Sequence, residues 1–230
     1  MLLAKTVRVV LAVLMVAGLA ACATDADQYY SLQPSASNTD DQARVNQGEF
    51  DYVVSVRPVQ VPSQLDRSQI VLKGRSGDVS VLNASLWASP LPDELRLAVS
   101  SALTQRLGVP DLPLSAVPQG LPVWLVNVDV QRFDSIYNAE SVIDITWRLQ
   151  RKGLNSPTES TSVCRATIAR PAGTGLTPLI DAHRESVQVL SDLIAQQISA
   201  AQARPDGGVG PPAQVNESGL AFQGCAQGRS

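Results

Sequence analysis

"VNVDVQRFDSIYNAESVIDITWRLQ", residues Val126–Gln150, contains two runs in which apolar and polar side chains alternate. Val126, Val128 and Val130 fall to one side and Asn127, Asp129 and Gln131 to the other. Ile143, Ile145, Trp147 and Leu149 likewise oppose Asp144, Thr146, Arg148 and Gln150. A period of two is what a strand needs when one face is buried. One-sided strands of this kind suit an antiparallel sheet whose second face meets water or a partner. The buried face therefore needs a cover.

Two helices supply it. Pro90 and Pro92, then Asp93 and Glu94, mark a helix start, and Gly108 just after Leu107 marks its end. Leu95, Ala98, Val99, Ala102, Leu103 and Leu107 recur at intervals of three and four, giving a single apolar face. A second helix, roughly Pro178 to Ala203, places Val187, Leu190, Ile194, Ile198 and Ala201 on one stripe. Further strands are expected from Tyr52 to Val61, perturbed at Pro58, and from about Thr161 to Arg170. Arg67–Gly74 and Asp78–Leu82 read as a hairpin around a Ser-Gly turn. The expected fold is a two-layer α+β domain, a mixed or mostly antiparallel sheet with two main helices on one face.

Toward the N-terminus, Gln33–Glu49 is rich in Ser, Asn, Asp and Gln without apolar periodicity and reads as a loop. Before it, "YYSL", Tyr29–Leu32, is expected as a short strand of the sheet. Lys5 and Arg8, with no acid, precede the apolar run Val9–Leu19. That is the layout of a secretory leader, and the run falls well short of the roughly 20 residues of a bilayer-spanning helix. Leu19, Ala20, Ala21 and Cys22 look like a bacterial lipobox, so residues 1–21 are expected to be cut away and Cys22 to carry acyl chains. Each buried methylene contributes about 0.8 kcal/mol, and several chains together hold stably. Residues 22–28 then form a short tether, 29–204 a single domain, and the Gly- and Pro-rich segment 205–230 a tail. Ala23, where an Asp would favour inner-membrane retention, points to the outer membrane facing the periplasm.

Without residues 1–21, 16 basic residues face 21 acidic ones, a net charge of −5. Such a body does not bind nucleic acid by neutralising phosphates, nor does it reach anionic lipid through charge. Of the 3 cysteines, lipid consumes Cys22, leaving Cys164 and Cys225. An even pair in an oxidising compartment is expected to bridge, fastening the tail to the body, with two free thiols as the alternative.

Signs of catalysis are weak. The single histidine, His183, has no second histidine nearby and sits three to four residues before Val187, as a packed or capping side chain would. No nucleophile elbow or P-loop occurs, and the glycines of "GGVGPP" precede prolines instead of opening a helix. The chain reads as non-enzymatic, without a metal or cofactor.

Taken in order, the lipobox with "YYSL" behind it, "VRPVQVPSQLDRSQIV" (Val56–Val71), "WASPL" (Trp87–Leu91), "VDVQRFD" (Val128–Asp134) and the last helix resemble the ABC-type transport auxiliary lipoprotein family of the PqiC and YmbA type. The resemblance runs from Tyr29 to about Ala203 and leaves out Cys225. It implies a non-catalytic lipoprotein of the outer membrane that docks the MCE-domain periplasmic subunit of an ABC intermembrane lipid transport system. Ring-forming partners of that kind also imply that it forms a homo-oligomer. Pro62, Asp66 and Arg67, in the loop Val61–Arg67, and Trp87 are the candidate contact residues, since tryptophan and arginine carry interfaces. Trp87 fits the core equally well, and Asp66 and Arg67 fit an internal ion pair. A lipid-binding carrier, which would need an apolar cavity, and a structural accessory of another envelope machine are the competing functions.

Overall fold

A computed structural model describes residues 26–33, 49–74, 76–153, 160–204 and 208–229. The leader, Cys22 and residues 34–48 of the expected loop lie outside them. The strands are β1 (Gln28–Tyr30), β2 (Val53–Val56), β3 (Gln69–Lys73), β4 (Val79–Trp87), β5 (Val123–Ile136), β6 (Glu140–Lys152), β7 (Ser160–Pro171) and β8 (Leu220–Arg229). Two helices, α1 (Leu91–Leu107) and α2 (Leu176–Gln202), complete the domain.

The alternating stretch forms the long hairpin β5–β6, paired from Val123↔Lys152 to Ile136↔Glu140 with one bulge between Val130 and Arg132. Antiparallel β7 and β8 follow on one side. On the other side β5 pairs in parallel with β2 through Val53↔Val123 to Val56↔Val126, and touches β3 at Lys73↔Ile136. The order β1-β4-β3-β5-β6-β7-β8, with β2 beside β5, makes a mixed sheet, and the fold is α+β.

Helix α1 starts where the prolines place it and stops at Gly108, whose φ of 67° is left-handed and whose N–H bonds the Thr104 carbonyl at 3.0 Å. Glycine takes that conformation without the Cβ clash other residues suffer. Leu95, Ala98, Val99 and Leu103 of α1 join Val187, Leu190, Ile194 and Ile198 of α2 in one core with Val126, Val128, Ile143, Ile145, Trp147 and Leu149 of the sheet. Ser186 and Ser191 lie on the buried side of α2 and satisfy their hydroxyls on the carbonyls of Ala182 (3.0 Å) and Val187 (2.8 Å). A smaller cluster, Val53, Val123 and Leu125, is covered by Leu112, Val117 and Leu121.

Two differences from the sequence reading stand out. Segment 205–230 is more than a tail, because its last ten described residues form the edge strand β8. β4 runs on to Trp87 instead of ending at Leu82, since β1 pairs with its second half in parallel, Gln28↔Ser85 to Tyr30↔Trp87.

Candidate functional site

The N-terminal strand is locked in place by one carboxylate. Glu94, in the first turn of α1, is buried and accepts hydrogen bonds from Leu32 N (2.9 Å), Ser31 Oγ (2.8 Å) and Ser89 Oγ (3.0 Å). Arg184 of α2 donates through Nε to the Ser31 carbonyl at 2.9 Å, and Ala88 N donates to the Tyr30 carbonyl at 2.7 Å. Leu32 is fully buried. Charge-assisted bonds are about twice as strong as neutral ones, so Tyr30–Leu32 behaves as part of the domain. In the sequence Glu94 shows only as a favourable first-turn acid; its partners on the N-terminal segment, Ser31 and Leu32, lie more than 60 residues away and leave no local signal.

The candidate contact residues divide. Trp87 is 2% exposed and packs edge-on against Phe133, with ring centroids 6.1 Å apart. Its burial takes it out of the contact surface and into the core, where its ring also lies edge-on to His183 of α2, with centroids 6.5 Å apart. Asp66 and Arg67 are exposed and Pro62 is half-buried, at the end of a loop whose 3-10 turn, Ser63–Leu65, is pinned by buried Leu65. No ion pair joins Asp66 to Arg67 among the described residues, so both side chains face outward. The Arg67 carbonyl accepts from Leu91 N at 3.2 Å, which ties this loop to the start of α1 and hence to the Glu94 clamp.

His183 lies at the centre of the core. Its ring stacks on Phe133, with centroids 3.9 Å apart and planes 7° from parallel, and Nε2 lies 2.8 Å from Ser135 Oγ. A serine and a histidine at that spacing resemble a nucleophile with its base. The surroundings refuse the chemistry. Among the described residues Nδ1 has no hydrogen-bond partner to orient the ring, and burial pushes the imidazole down to about 3, too weak a base near neutral pH. Ser135 is buried as well. The pair is therefore packing, which agrees with the sequence reading of His183.

At the C-terminal side, Cys164 of β7 and Cys225 of β8 are register partners, with sulfurs joined at 1.99 Å. Gln197 of α2, also buried, accepts from Trp147 Nε1 at 2.7 Å and donates to the Gly210 carbonyl at 2.6 Å, holding the approach to β8 against the helix. Arg170 reaches across to Glu217 and the Ser218 carbonyl. Gly219, at φ +75°, fits because a Cβ there would lie 2.1 Å from the Ala169 carbonyl oxygen.

The cleft between Leu65, Trp87, Leu91 and Phe133 offers about 0 Å³ of space to a water-sized molecule. Ligand sites hold roughly 300–1,000 Å³, so this cleft is too small for a phospholipid.

Among the described residues, the buried polar side chains Glu94, Arg170 and Gln197 hold chain segments in place. The chain belongs to the family of ABC-type transport auxiliary lipoprotein components, whose model matches residues 30–195. The intermembrane transport lipoprotein PqiC of Escherichia coli (strain K12) is 26% identical over 172 residues, 75% of this chain and 82% of that protein. The protein of the same name in Shigella flexneri matches to the same extent. A crystal structure of an uncharacterized protein superposes with a TM-score of 0.55 at 21% identity, covering 76% of this chain and 99% of the other, and so shares the fold. The family match begins within β1 and ends inside α2, leaving β8 and Cys225 outside it.

Proposed function

We propose that this protein is the outer-membrane dock of an MCE-type ABC intermembrane lipid transport system, anchored through Cys22 and facing the periplasm. Residues 1–21 are the leader, removed before the acylated Cys22, and Cys164–Cys225 is bridged in the mature protein. ATP hydrolysis and passage of lipid belong to other subunits. The observation that carries the reading is the clamped N-terminus: β1 is part of the sheet, so the whole tether is the six residues from the acylated Cys22 to Asp27. Six residues reach at most about 20 Å. A dock has to be held at the membrane surface, whereas a shuttling carrier has to leave it. The loop Val61–Arg67, with Pro62, Asp66 and Arg67 outward, is the contact surface for the MCE subunit, and copies of the chain assemble around that partner.

The test is affinity purification of the tagged, lipidated protein in mild detergent with mass spectrometry of what comes with it. An MCE subunit is expected, retained in a Cys22→Ser form and depleted by Arg67→Ala. Reproducible recovery of a different envelope complex, with no MCE protein even after crosslinking, would end the transport assignment.

A further inference from the structure

The parallel pairing of β1 with β4 fixes the direction in which the tether leaves the domain. β4 starts at Val79 and runs to Trp87, and β1 lies along only its last three residues, Ser85–Trp87. Going backward from Gln28, the chain heads toward Val79. Cys22 lies six residues before Gln28, and Val79 lies six before Ser85. A fully extended tether spans about 20 Å, and β4 covers no more than that between Ser85 and Val79, less where its register with β3 slips between Gln69 and Val71. The start of β4 is therefore within reach of a tether of that length. The opposite end of the sheet is out of range: β3 and β5 are parallel at Lys73↔Ile136, so Gln69 is level with about Arg132, and Val123 lies nine residues, roughly 30 Å, further on.

The end within reach carries apolar side chains that are exposed among the described residues. Val79 and Val81 are 62% and 40% exposed, and their spacing of two puts both on one side of the strand. Tyr137 in the β5–β6 turn is 48% exposed, and the Lys73↔Ile136 pairing brings that turn beside the β3–β4 hairpin end. Lys73 is neutralised by Asp134 at 2.8 Å, and Asp78 is held by Ser76 at the hairpin end, compatible with headgroup depth. With a net charge of −5 for the chain after residue 21, the body as a whole is not drawn to anionic lipid, and contact with a bilayer is carried by apolar and tyrosine side chains, the types that populate its interface.

We infer that the adjoining ends of the β3–β4 and β5–β6 hairpins rest on the phospholipid bilayer, with Val79, Val81 and Tyr137 seated among its headgroups and upper acyl carbons. The inference rests on the lipidation of Cys22 proposed above. It makes the anchored domain an upright body with a defined foot, its Val123–Lys152 end turned away from the membrane.

The lipidated protein is reconstituted into phosphatidylethanolamine–phosphatidylglycerol vesicles with or without bromine on the upper acyl carbons. Val81→Trp is compared with Lys152→Trp at the far end of β6. Trp87, Trp124 and Trp147 are all buried and give a constant background, read from the unsubstituted protein. The Val81→Trp emission is expected to shift to the blue on reconstitution and to lose most of its intensity in brominated vesicles, with Lys152→Trp unchanged. Tyr137→Trp gives the same reading if Val81→Trp does not fold. Flotation with the vesicles but equal quenching at both ends overturns the contact and leaves the anchor standing. A blue shift without quenching assigns the patch to a second copy of the chain and overturns it too. Failure of the unsubstituted protein to float overturns both anchor and contact.

Discussion

His183 makes the stability of this domain depend on pH in a way one residue can account for. In the unfolded chain an imidazole takes up its proton near pH 6.5, whereas burial in the core lowers it to about 3. Between those values the unfolded state binds a proton that the native state refuses, so stability rises with pH across the window and is lost as pH falls through it. From pH 7.5 to pH 5 the loss amounts to about 2 kcal/mol, at 1.36 kcal/mol per unit below the unfolded value. His183 is the single histidine of the chain, and carboxylates titrate largely below this range, so the slope belongs almost wholly to it. Urea unfolding of the soluble form, residues 22–230 with Cys22→Ser, measured at half-unit intervals from pH 7.5 to 5, reads the slope directly. A His183→Leu variant is expected to be less stable at every pH, since Ser135 loses its partner, but to show a nearly flat profile. Imidazole resonances of the native protein should stay those of the neutral ring down to pH 5. A native-state midpoint near 6.5, or equal slopes with and without His183, would refute the buried-neutral assignment.

Glu94→Ala removes the acceptor of two N-terminal donors and should destabilise the domain by about 2 kcal/mol, with new proteolytic cleavage around Tyr29–Leu32 as the specific sign. Reducing Cys164–Cys225 opens a link between residues 61 apart, for which chain entropy gives a loss of about 4 kcal/mol; denaturant midpoints with and without reductant measure it, and Cys164→Ser with Cys225→Ser should reproduce the reduced value. Trp87→Ala should cost about 3–5 kcal/mol of stability. Arg67→Ala should stay within about 0.5 kcal/mol of the parent while weakening partner capture, so thermal unfolding and pull-down together separate core from surface.

The elements legible in the sequence are those whose neighbours are close along the chain or whose faces differ sharply. β5 and β6 are long, one-sided and joined by a short turn, and α1 is bracketed by Pro90 and Gly108. β8 escaped because "LAFQGCAQGR" is an edge strand with little buried on either face and glycines within it, so no period of two survives. The extension of β4 through Asn83, Ala84 and Ser85 depends on β1, more than 50 residues earlier, and parallel pairing has no turn to betray it. At the candidate site, the interest of Pro62, Asp66 and Arg67 could be read from residue type. The fate of Trp87 could not, because a tryptophan before a helix suits a core and an interface alike until the sheet is assembled. Glu94 shows the same limit: a first-turn acid looks identical whether it faces water or binds Ser31 and Leu32.

The placement of β8 also sets an order of assembly. β8 comes after β7 and α2 in the chain, and until it is made β7 presents an unpaired backbone with Ala166 and Ile168 beside it, side chains that are fully buried in the finished domain. An open apolar edge of that kind invites pairing with another chain. A product that stops after α2 would contain every residue the family model matches and still lack its closing strand, so truncation at the C-terminus should show as aggregation during biogenesis rather than as a mild loss of function.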